Sequence, residues 1–335
     1  MMNIRQIEEQ REARELSEFA SLSAKSLGRA RSEAECEVRT CFRRDRDRII
    51  HSKAFRRLKD KTQVFISPEG DHYRTRLTHT LEVSGIARTI ARALSLNEGL
   101  CEAIAMGHDL GHTPFGHGGE RELAALTDGA FSHNLQSVRV VEKLEHDGAG
   151  LNLTAEVLDG IACHSGDARA KTLEGRVVAL ADRIAYINHD IDDACRAGLL
   201  RESDLPREFT ELLGNRQSKR INTLVMDTIK ESLGKDEIVM SADIYNAMMG
   251  LRKFMFERIY RADFALRQEA KVRDVVGRLF EHFISDISRL PEEYRRVAEI
   301  DGERTAVCDF IACMSDRYAL NTYSEIFLPA SMGHF

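Results

Sequence analysis

The stretch GHDLGHTPFGHGGER, residues 107–121, combines three histidines with an aspartate and a glutamate in one glycine-rich segment. His108 and Asp109 stand at the end of a predicted helix that Asn97 caps, and the other histidines and the glutamate follow in the turn. Imidazole and carboxylate groups are common ligands of divalent cations. This segment is therefore the first candidate for a chemical site.

A second histidine position lies upstream, in RLTHTLEV, residues 76–83. The apolar spacing predicts a helix over residues 77–96, and His79 interrupts its apolar side. The positions expected to face the core are Leu77, Leu81, Ile86, Ile90 and Leu94.

A further carboxylate lies on an apolar helix predicted over residues 173–197, within RVVALADRIAYINHDIDDA. Asp182 is costly to bury there unless it pairs or binds a cation. The candidate metal ligands are therefore His79, His108, Asp109 and Asp182. This mixed nitrogen and oxygen set suits Mn²⁺, Mg²⁺, Co²⁺, Fe²⁺ or Zn²⁺.

Each of these residues also has an ordinary structural explanation. His79 is equally interpreted as a satisfied core histidine, and the His108–Asp109 pair as a helix C-cap. Asp182 has neighbouring arginines with which to form an ion pair. The order of the four residues along the chain favours the metal site more than any one of them does alone.

The composition indicates a helical globular protein. The chain has 335 residues, is 43% hydrophobic and 30% charged, and contains only 5 prolines. Its 7 cysteines form no CxxC pair, which predicts reduced thiols and a cytoplasmic location. No apolar run approaches the roughly 20 residues of a membrane span, and no signal-peptide pattern opens the chain, so no membrane association is expected.

The charge is unevenly distributed. The formal net charge is −6, yet residues 39–61 are strongly basic. Such a strip predicts an anion site or a contact between subunits, and single-stranded DNA is one candidate partner. The alternative is a solvated helix face covered by salt bridges.

The periodicity predicts a mainly α fold: a helical bundle with a short β-hairpin over residues 61–76, near the site. We expect an N-terminal helical segment at 1–38, a core at 39–200 and a C-terminal helical extension at 201–335, packed as one unit. Helices are predicted at 4–20, 43–59, 77–96, from Glu98 to the glycine-rich turn, and at 118–127, 132–146, 154–164, 173–197, 216–233 and, in two pieces, 241–288.

These motifs together resemble the HD-domain superfamily of metal-dependent phosphohydrolases, and within it the deoxynucleoside triphosphate triphosphohydrolases. The resemblance runs from RDRDRIIHSKAFRRLKDKTQVF through EGDHYRTRLTHTLEV, GHDLGHTPFGHGGE, FSHNLQSVRVVE and ALADRIAYINHDIDDA to CDFIACMSDRYA. It covers roughly residues 39 to 325. It implies an HD helical bundle with the four ligands already proposed.

The resemblance also implies an acid–base group. His117 and Glu120 are three positions apart, so their side chains can meet on a helix, and His112 lies close by. The alternative for Glu120 is a carboxylate stabilised by the helix dipole. His133 is expected to contact a substrate phosphate or to support the site, and a helix N-cap is its rival role.

Substrate contacts are implied at several further positions. Asp182, Tyr186 and Asp190 follow one helical face, whose far end is expected to contact the sugar. Arg76 and Arg183, with Lys53 or His112, are expected to hold the triphosphate charge, and Gln63 is expected to contact the edge of the sugar. A surface position is the alternative for each of these residues.

The implied reaction converts a deoxynucleoside triphosphate (dNTP) into a deoxynucleoside and inorganic triphosphate. The rivals are HD phosphohydrolases acting on nucleoside monophosphates, cyclic nucleotides or guanosine tetraphosphate, and a nucleic-acid-binding regulatory protein on the same fold. The resemblance further implies a homo-oligomer, a tetramer or hexamer, with an activating nucleotide in some relatives. His164 and residues 314–320 receive no chemical role from the sequence.

Overall fold

The computed structural model describes residues 2–63 and 74–329, and this part of the chain is mainly α-helical. Its α-helices are α1 Ile4–Glu15, α2 Cys41–Ile50, α3 Lys53–Arg57, α4 Arg76–Ala93, α5 Glu98–Gly107, α6 His117–Leu126, α7 His133–Arg139, α8 Ala155–Ala162, α9 Leu173–Arg196, α10 Arg207–Leu213, α11 Gln217–Ser232, α12 Ala242–Met255, α13 Asp263–Ile284, α14 Glu292–Asp301, α15 Glu303–Ala312 and α16 Asp316–Phe327. Two π-helical turns, Val140–Leu144 and Phe256–Tyr260, extend α7 and α12.

Helix α5 lies at the centre of the core and packs against α2, α4, α8 and α9. Its residues from Ala103 to Gly107 are all buried, and Asn97 begins it by accepting hydrogen bonds from the next turn. Gly160 lets α8 approach closely, because an added Cβ would lie 2.4 Å from Ile104 Cδ1. This packing fixes the end of α5, where His108 and Asp109 follow.

Two local predictions were wrong. The helix expected over residues 43–59 is broken, because Ser52 caps a new helix, α3, by accepting a hydrogen bond from Phe55 N–H. Leu81 is 51% exposed rather than buried, and the core side of α4 instead carries His79, Val83, Ala87 and Ile90. The reason is that α5 and α9 cover a face of α4 rotated away from Leu81.

The predicted β-hairpin is not confirmed. Most of it falls on residues 64–73, which lie outside the described residues. At its two ends an isolated antiparallel bridge joins Thr62 to Thr75. Within residues 2–63 and 74–329, no helix is both long and apolar enough to cross a lipid bilayer.

The basic strip at residues 39–61 forms ion pairs with the protein's own acidic groups. Arg39 and Arg46 pair with Asp47, and Arg44 and Arg48 pair with Glu33. The salt-bridged helix face, one of the two interpretations of this strip, therefore accounts for these four arginines. Their charge is partly neutralised before any external anion is considered.

Candidate active site

The four predicted metal ligands come together from three helices. His79 is on α4, Asp182 is on α9, and His108 and Asp109 follow α5. His79 Nε2 lies 3.0 Å from Asp182 Oδ1, and His108 Nε2 lies 3.8 Å from the same oxygen and 3.7 Å from Asp109 Oδ1. One ligand atom from each of His79, His108 and Asp109 falls within a 4.8 Å cluster.

The proton positions on His108 follow from its hydrogen bond. Its Nδ1 lies 2.6 Å from the carbonyl oxygen of Ala105, which can only accept, so Nδ1 carries the proton. Nε2 then presents a bare lone pair. That atom is buried and has no hydrogen-bond partner among the described residues. A bare buried nitrogen facing two carboxylates fits a bound cation.

The same accounting applies to His79, through a histidine that the sequence analysis missed. His189 Nε2 lies 3.3 Å from Glu82 Oε2, and His189 Nδ1 lies 3.3 Å from His79 Nδ1. Burial lowers the pKa of His189 to about 2, so its ring is neutral. With Nε2–H donated to Glu82, His189 accepts from His79 Nδ1–H, which turns His79 Nε2 towards Asp182.

His79 Nε2 and Asp182 Oδ1 therefore face one another at 3.0 Å, a separation that a proton or a metal cation can bridge. Metal bonds of roughly 2.1 Å hold neighbouring ligand atoms about 3.0–3.4 Å apart in octahedral or tetrahedral geometry. The residues present thus fit a divalent cation. Burial alone would raise the pKa of Asp182, but its contacts with His79 and His108 lower it, so the carboxylate is ionised.

The Arg76 side chain forms an ion pair with Asp109 and does not project into an open pocket. Its Nη1 donates to Asp109 Oδ2 at 2.8 Å, and both side chains are buried. Burial would raise the pKa of Asp109, but the charge of Arg76, followed by the neighbouring histidines, lowers it well below the ordinary value. Arg76 therefore lies at the edge of the metal-ligand cluster, which consists of His79, His108, Asp109 and Asp182.

Glu120 joins two histidines beside this cluster. Its Oε2 lies 3.1 Å from His117 Nδ1, and its Oε1 lies 2.7 Å from His133 Nδ1. Burial would raise the pKa of Glu120, but these two hydrogen bonds lower it far below the ordinary value. His117 is 68% exposed in the first turn of α6, whereas His133 is buried.

His164, which had no predicted role, completes this chain of contacts. Its Nδ1 lies 2.7 Å from the Ile161 carbonyl, so its Nε2 is bare and accepts from His133 Nε2 at 3.1 Å. His133 thus donates from both ring nitrogens and is an imidazolium. Burial opposes this charge, but the hydrogen bond and charge of Glu120 raise the pKa of His133, while burial lowers the pKa of His164 to about 3.

His112 stacks on His133, with ring centroids 4.5 Å apart. Burial, followed by the charges of Arg76 and His133, lowers the pKa of His112 well below its ordinary value. The neutral imidazole adds no positive charge in this arrangement, and a contact between His112 and the triphosphate stays a prediction. It remains within reach of the site as a hydrogen-bonding group.

Two residues from the C-terminal helices form hydrogen bonds with the face of α9 that carries Tyr186 and Asp190. Arg252 Nε donates to the Tyr186 hydroxyl at 2.6 Å, and the Tyr260 hydroxyl donates to Asp190 Oδ2. Burial raises the pKa of Asp190 well above its ordinary value, and its Oδ1 is buried with no partner among the described residues. The sequence analysis missed Arg252 and Tyr260, since nothing in their local spacing singles them out.

The last two predicted substrate residues are Gln63 and Arg183. Gln63 Oε1 is buried without a hydrogen-bond partner among the described residues, at the edge of the segment 64–73 that they leave out. Arg183 follows Asp182 on α9 and is half-buried. No contact within the described residues ties either side chain to the metal-ligand cluster.

Comparison with known proteins identifies the domains. Residues 76–187 match the HD domain family, and residues 238–325 match the phosphohydrolase-associated domain. The four ligand positions fall within the first match, and Arg252 and Tyr260 fall within the second.

Whole-chain relatives extend this result. A deoxyguanosinetriphosphate triphosphohydrolase-like protein of Caldanaerobacter subterraneus is 59% identical over 98% of this chain and 97% of its own. A protein of the same description from Clostridium perfringens is 50% identical, over 98% of both chains. A hypothetical protein from Aquifex aeolicus, of known crystal structure, has 18% identity and a TM-score of 0.48, covering 85% of this chain and 68% of that one. The chain belongs to the family of deoxyguanosinetriphosphate triphosphohydrolase-like proteins, HD-domain phosphohydrolases that carry a phosphohydrolase-associated domain.

Proposed function

We propose that this protein is a metal-dependent triphosphohydrolase that converts a dNTP into a deoxynucleoside and inorganic triphosphate. One observation carries the proposal: the metal-ligand cluster and the Glu120-linked histidines adjoin. Ligand atoms of Asp109, His112 and His133 all lie within 4.8 Å of one another. A phosphoryl group at this junction would meet a cation site on one side and proton donors on the other.

His79, His108, Asp109 and Asp182 would hold the divalent cation, with Mn²⁺, Mg²⁺, Co²⁺, Fe²⁺ and Zn²⁺ as the candidates. When bound, such an ion supplies Lewis-acid activation of water and neutralises charge at the α-phosphorus. His189 and Ala105 would orient the two histidines by fixing their tautomers.

The triphosphate carries about four negative charges, and fixed cations near the cluster would balance them. His133 would supply one of these cations as an imidazolium, and Arg76 and Arg183 would supply two more. His112, which is neutral, would contribute a hydrogen bond. Because His133 is held on both ring nitrogens, it enters the reaction already oriented.

His117 is proposed as the acid that protonates the departing 5′-oxygen. Its exposure leaves it free to approach a bound nucleotide, while Glu120 holds its Nδ1 and orients the ring. The sugar would contact Tyr186 and Asp190, with Gln63 at its edge.

A triphosphate-release assay tests this proposal. The four dNTPs and the four rNTPs are each incubated with Mn²⁺, Mg²⁺ or Co²⁺, singly and in pairs of nucleotides, and the phosphate products are separated. Release of triphosphate from dNTPs is the expected result, and faster release in a pair would indicate an activating nucleotide. Release of monophosphate or orthophosphate instead would support another HD phosphohydrolase activity. Salt-sensitive binding of single-stranded DNA without hydrolysis would support a regulatory protein.

The remaining expectations belong to the same proposal. The protein would act in the cytoplasm as a tetramer or hexamer, on a dNTP made available there. Residues 39–200 would form its core, flanked by the helical segments 1–38 and 201–335. Size measurement in solution tests the assembly.

A further inference from the structure

The segment 314–320 reaches the active-site loop through one buried carboxylate. Asp316, the first residue of α16, is 4% exposed. Its Oδ1 accepts a hydrogen bond from Phe115 N–H at 2.9 Å. Its Oδ2 accepts from Thr62 N–H at 3.2 Å and from the Thr62 hydroxyl at 2.5 Å. One side chain thus binds the backbones of two separate segments.

Both segments lead directly to proposed site residues. Phe115 precedes His117 by two positions, and Thr62 immediately precedes Gln63. The segments also touch, because a Cβ added to Gly116 would lie 3.1 Å from the carbonyl oxygen of Gln63. A change in either backbone would therefore move the proposed acid relative to the proposed sugar contact.

The Phe115 backbone needs external support. Its φ is +63°, in the left-handed region of backbone conformation that residues other than glycine seldom adopt. Such a conformation persists only where its surroundings hold it. The bond from Phe115 N–H to Asp316 is one such contact, and burial of the Phe115 ring is another.

Lys61 adds a second tie between the same parts of the chain. Its ammonium group is buried and donates to the His112 carbonyl and, at 2.9 Å, to the Ala312 carbonyl. Lys61 lies next to Thr62, and Ala312 ends α15. The junction of α15 and α16 is thus bonded to the loop before His117 directly through Asp316 and indirectly through Lys61.

We propose that Asp316 is a positioning residue, which holds the His117 loop and the Gln63 segment in register across the substrate site. This inference rests on the proposed function, since it concerns how well the nucleotide is aligned with the acid. Misplacement of a reacting group by about 1 Å can cost about 100-fold in rate. Asp316 is buried against the two segments and would act only through them.

Four variants separate the two arms of this contact. Thr62→Val removes the Thr62 hydroxyl bond at nearly constant volume, and Thr62→Ser restores it. Asp316→Ala removes both arms, and Glu325→Gln, on the exposed side of the same helix, is the matched control. Each is assayed with the best dNTP of the wild-type protein, for kcat, KM, melting temperature and Mn²⁺ affinity.

We expect Thr62→Val to raise KM several-fold with kcat retained, and Thr62→Ser to restore the wild-type KM. Asp316→Ala should lower kcat by about 10- to 100-fold while Mn²⁺ affinity stays within about twofold. An unchanged kcat in Asp316→Ala, or Thr62→Val kinetics equal to wild type, would overturn the inference. Loss of Mn²⁺ affinity in step with kcat would also overturn it, by showing a general folding defect.

Hydrogen exchange gives a readout that needs no activity. In Asp316→Ala, peptides covering residues 61–63 and 112–117 should exchange faster than in Glu325→Gln, and equal exchange would overturn the inference. If the wild-type protein hydrolyses no nucleotide, the proposed function fails, and the exchange result still decides whether Asp316 holds the two segments together.

Discussion

The Nε2 atom of His79 and the Oδ1 atom of Asp182 lie 3.0 Å apart, although 103 positions separate the two residues in the chain. The contact between His189 and His79 Nδ1 turns the Nε2 atom of His79 towards that carboxylate. A nitrogen and a carboxylate oxygen at this distance share either a proton or a cation. This relationship supports the metal site more directly than the residue types alone.

Removing one of these ligands should remove the metal. Asp182→Ala is expected to weaken Mn²⁺ binding by at least about 100-fold, since even outer-shell changes cost about 10- to 100-fold. Calorimetric titration with Mn²⁺ measures this, and turnover should fall with it. Asp236→Ala, at an exposed position, is the control. Unaltered Mn²⁺ affinity in Asp182→Ala would exclude this residue as a ligand.

The contact between His189 and His79 makes a separate prediction. His189→Phe keeps a planar ring but offers no acceptor to His79 Nδ1–H, so the favoured tautomer of His79 is lost. Mn²⁺ affinity should fall by about 10- to 100-fold. Calorimetric titration of the folded variant and of the wild type with Mn²⁺, at the same pH, measures this affinity. Wild-type affinity would show that His189 does not orient the ligand.

His117 should affect turnover without affecting the metal. His117→Ala is expected to bind Mn²⁺ as the wild type does, because within residues 2–63 and 74–329 no hydrogen bond or ion pair joins His117 to any of the four ligands. Its kcat should fall by a factor on the order of 10² to 10⁴, which is typical for loss of a general acid. Steady-state kinetics beside a Mn²⁺ titration test both parts. Parent-level turnover would rule out His117 as the acid.

The Glu120–His133 contact predicts the pH dependence of activity. Because Glu120 raises the pKa of His133 above 6.5, the imidazolium is present at low pH and is lost as pH rises through that raised pKa. Activity that needs the imidazolium should therefore decline on the alkaline side. In Glu120→Gln the pKa of His133 falls, so the decline of kcat/KM should move to lower pH. A profile with an unshifted alkaline side would contradict this role.

Lys61 predicts how stability depends on pH. Burial lowers its pKa from 10.5 to about 7, so between these values the unfolded chain binds more protons than the folded one. The contribution of Lys61 to stability therefore increases as pH rises through this window and is lost as pH falls. Urea unfolding of the wild type and Lys61→Met at pH 7 and pH 9 tests this. The wild type should gain free energy of unfolding relative to Lys61→Met at pH 9, and a constant difference would refute the shifted pKa.

Much of the site was predictable because its chemistry is local. His108 and Asp109 stand out beside one another at a helix end, and Asp182 stands out as a carboxylate on an apolar helix. The i, i+3 spacing of His117 and Glu120 predicted their contact, which is present at 3.1 Å. The helix of residues 77–96 was predicted to within a few positions, although the exposed side chain of Leu81 was assigned to the wrong face.

The helical class, most helix limits and the residues with metal-binding chemistry could be predicted from the sequence, because periodicity and side-chain type are properties of neighbouring positions. The partners of those residues depend instead on how the helices pack. His189 on His79, His164 on His133, Tyr260 on Asp190 and Asp316 on Phe115 are contacts between separate helices or between a helix and a loop. Helix packing sets which distant side chains meet, and with them the protons each ring carries, so no local pattern records either.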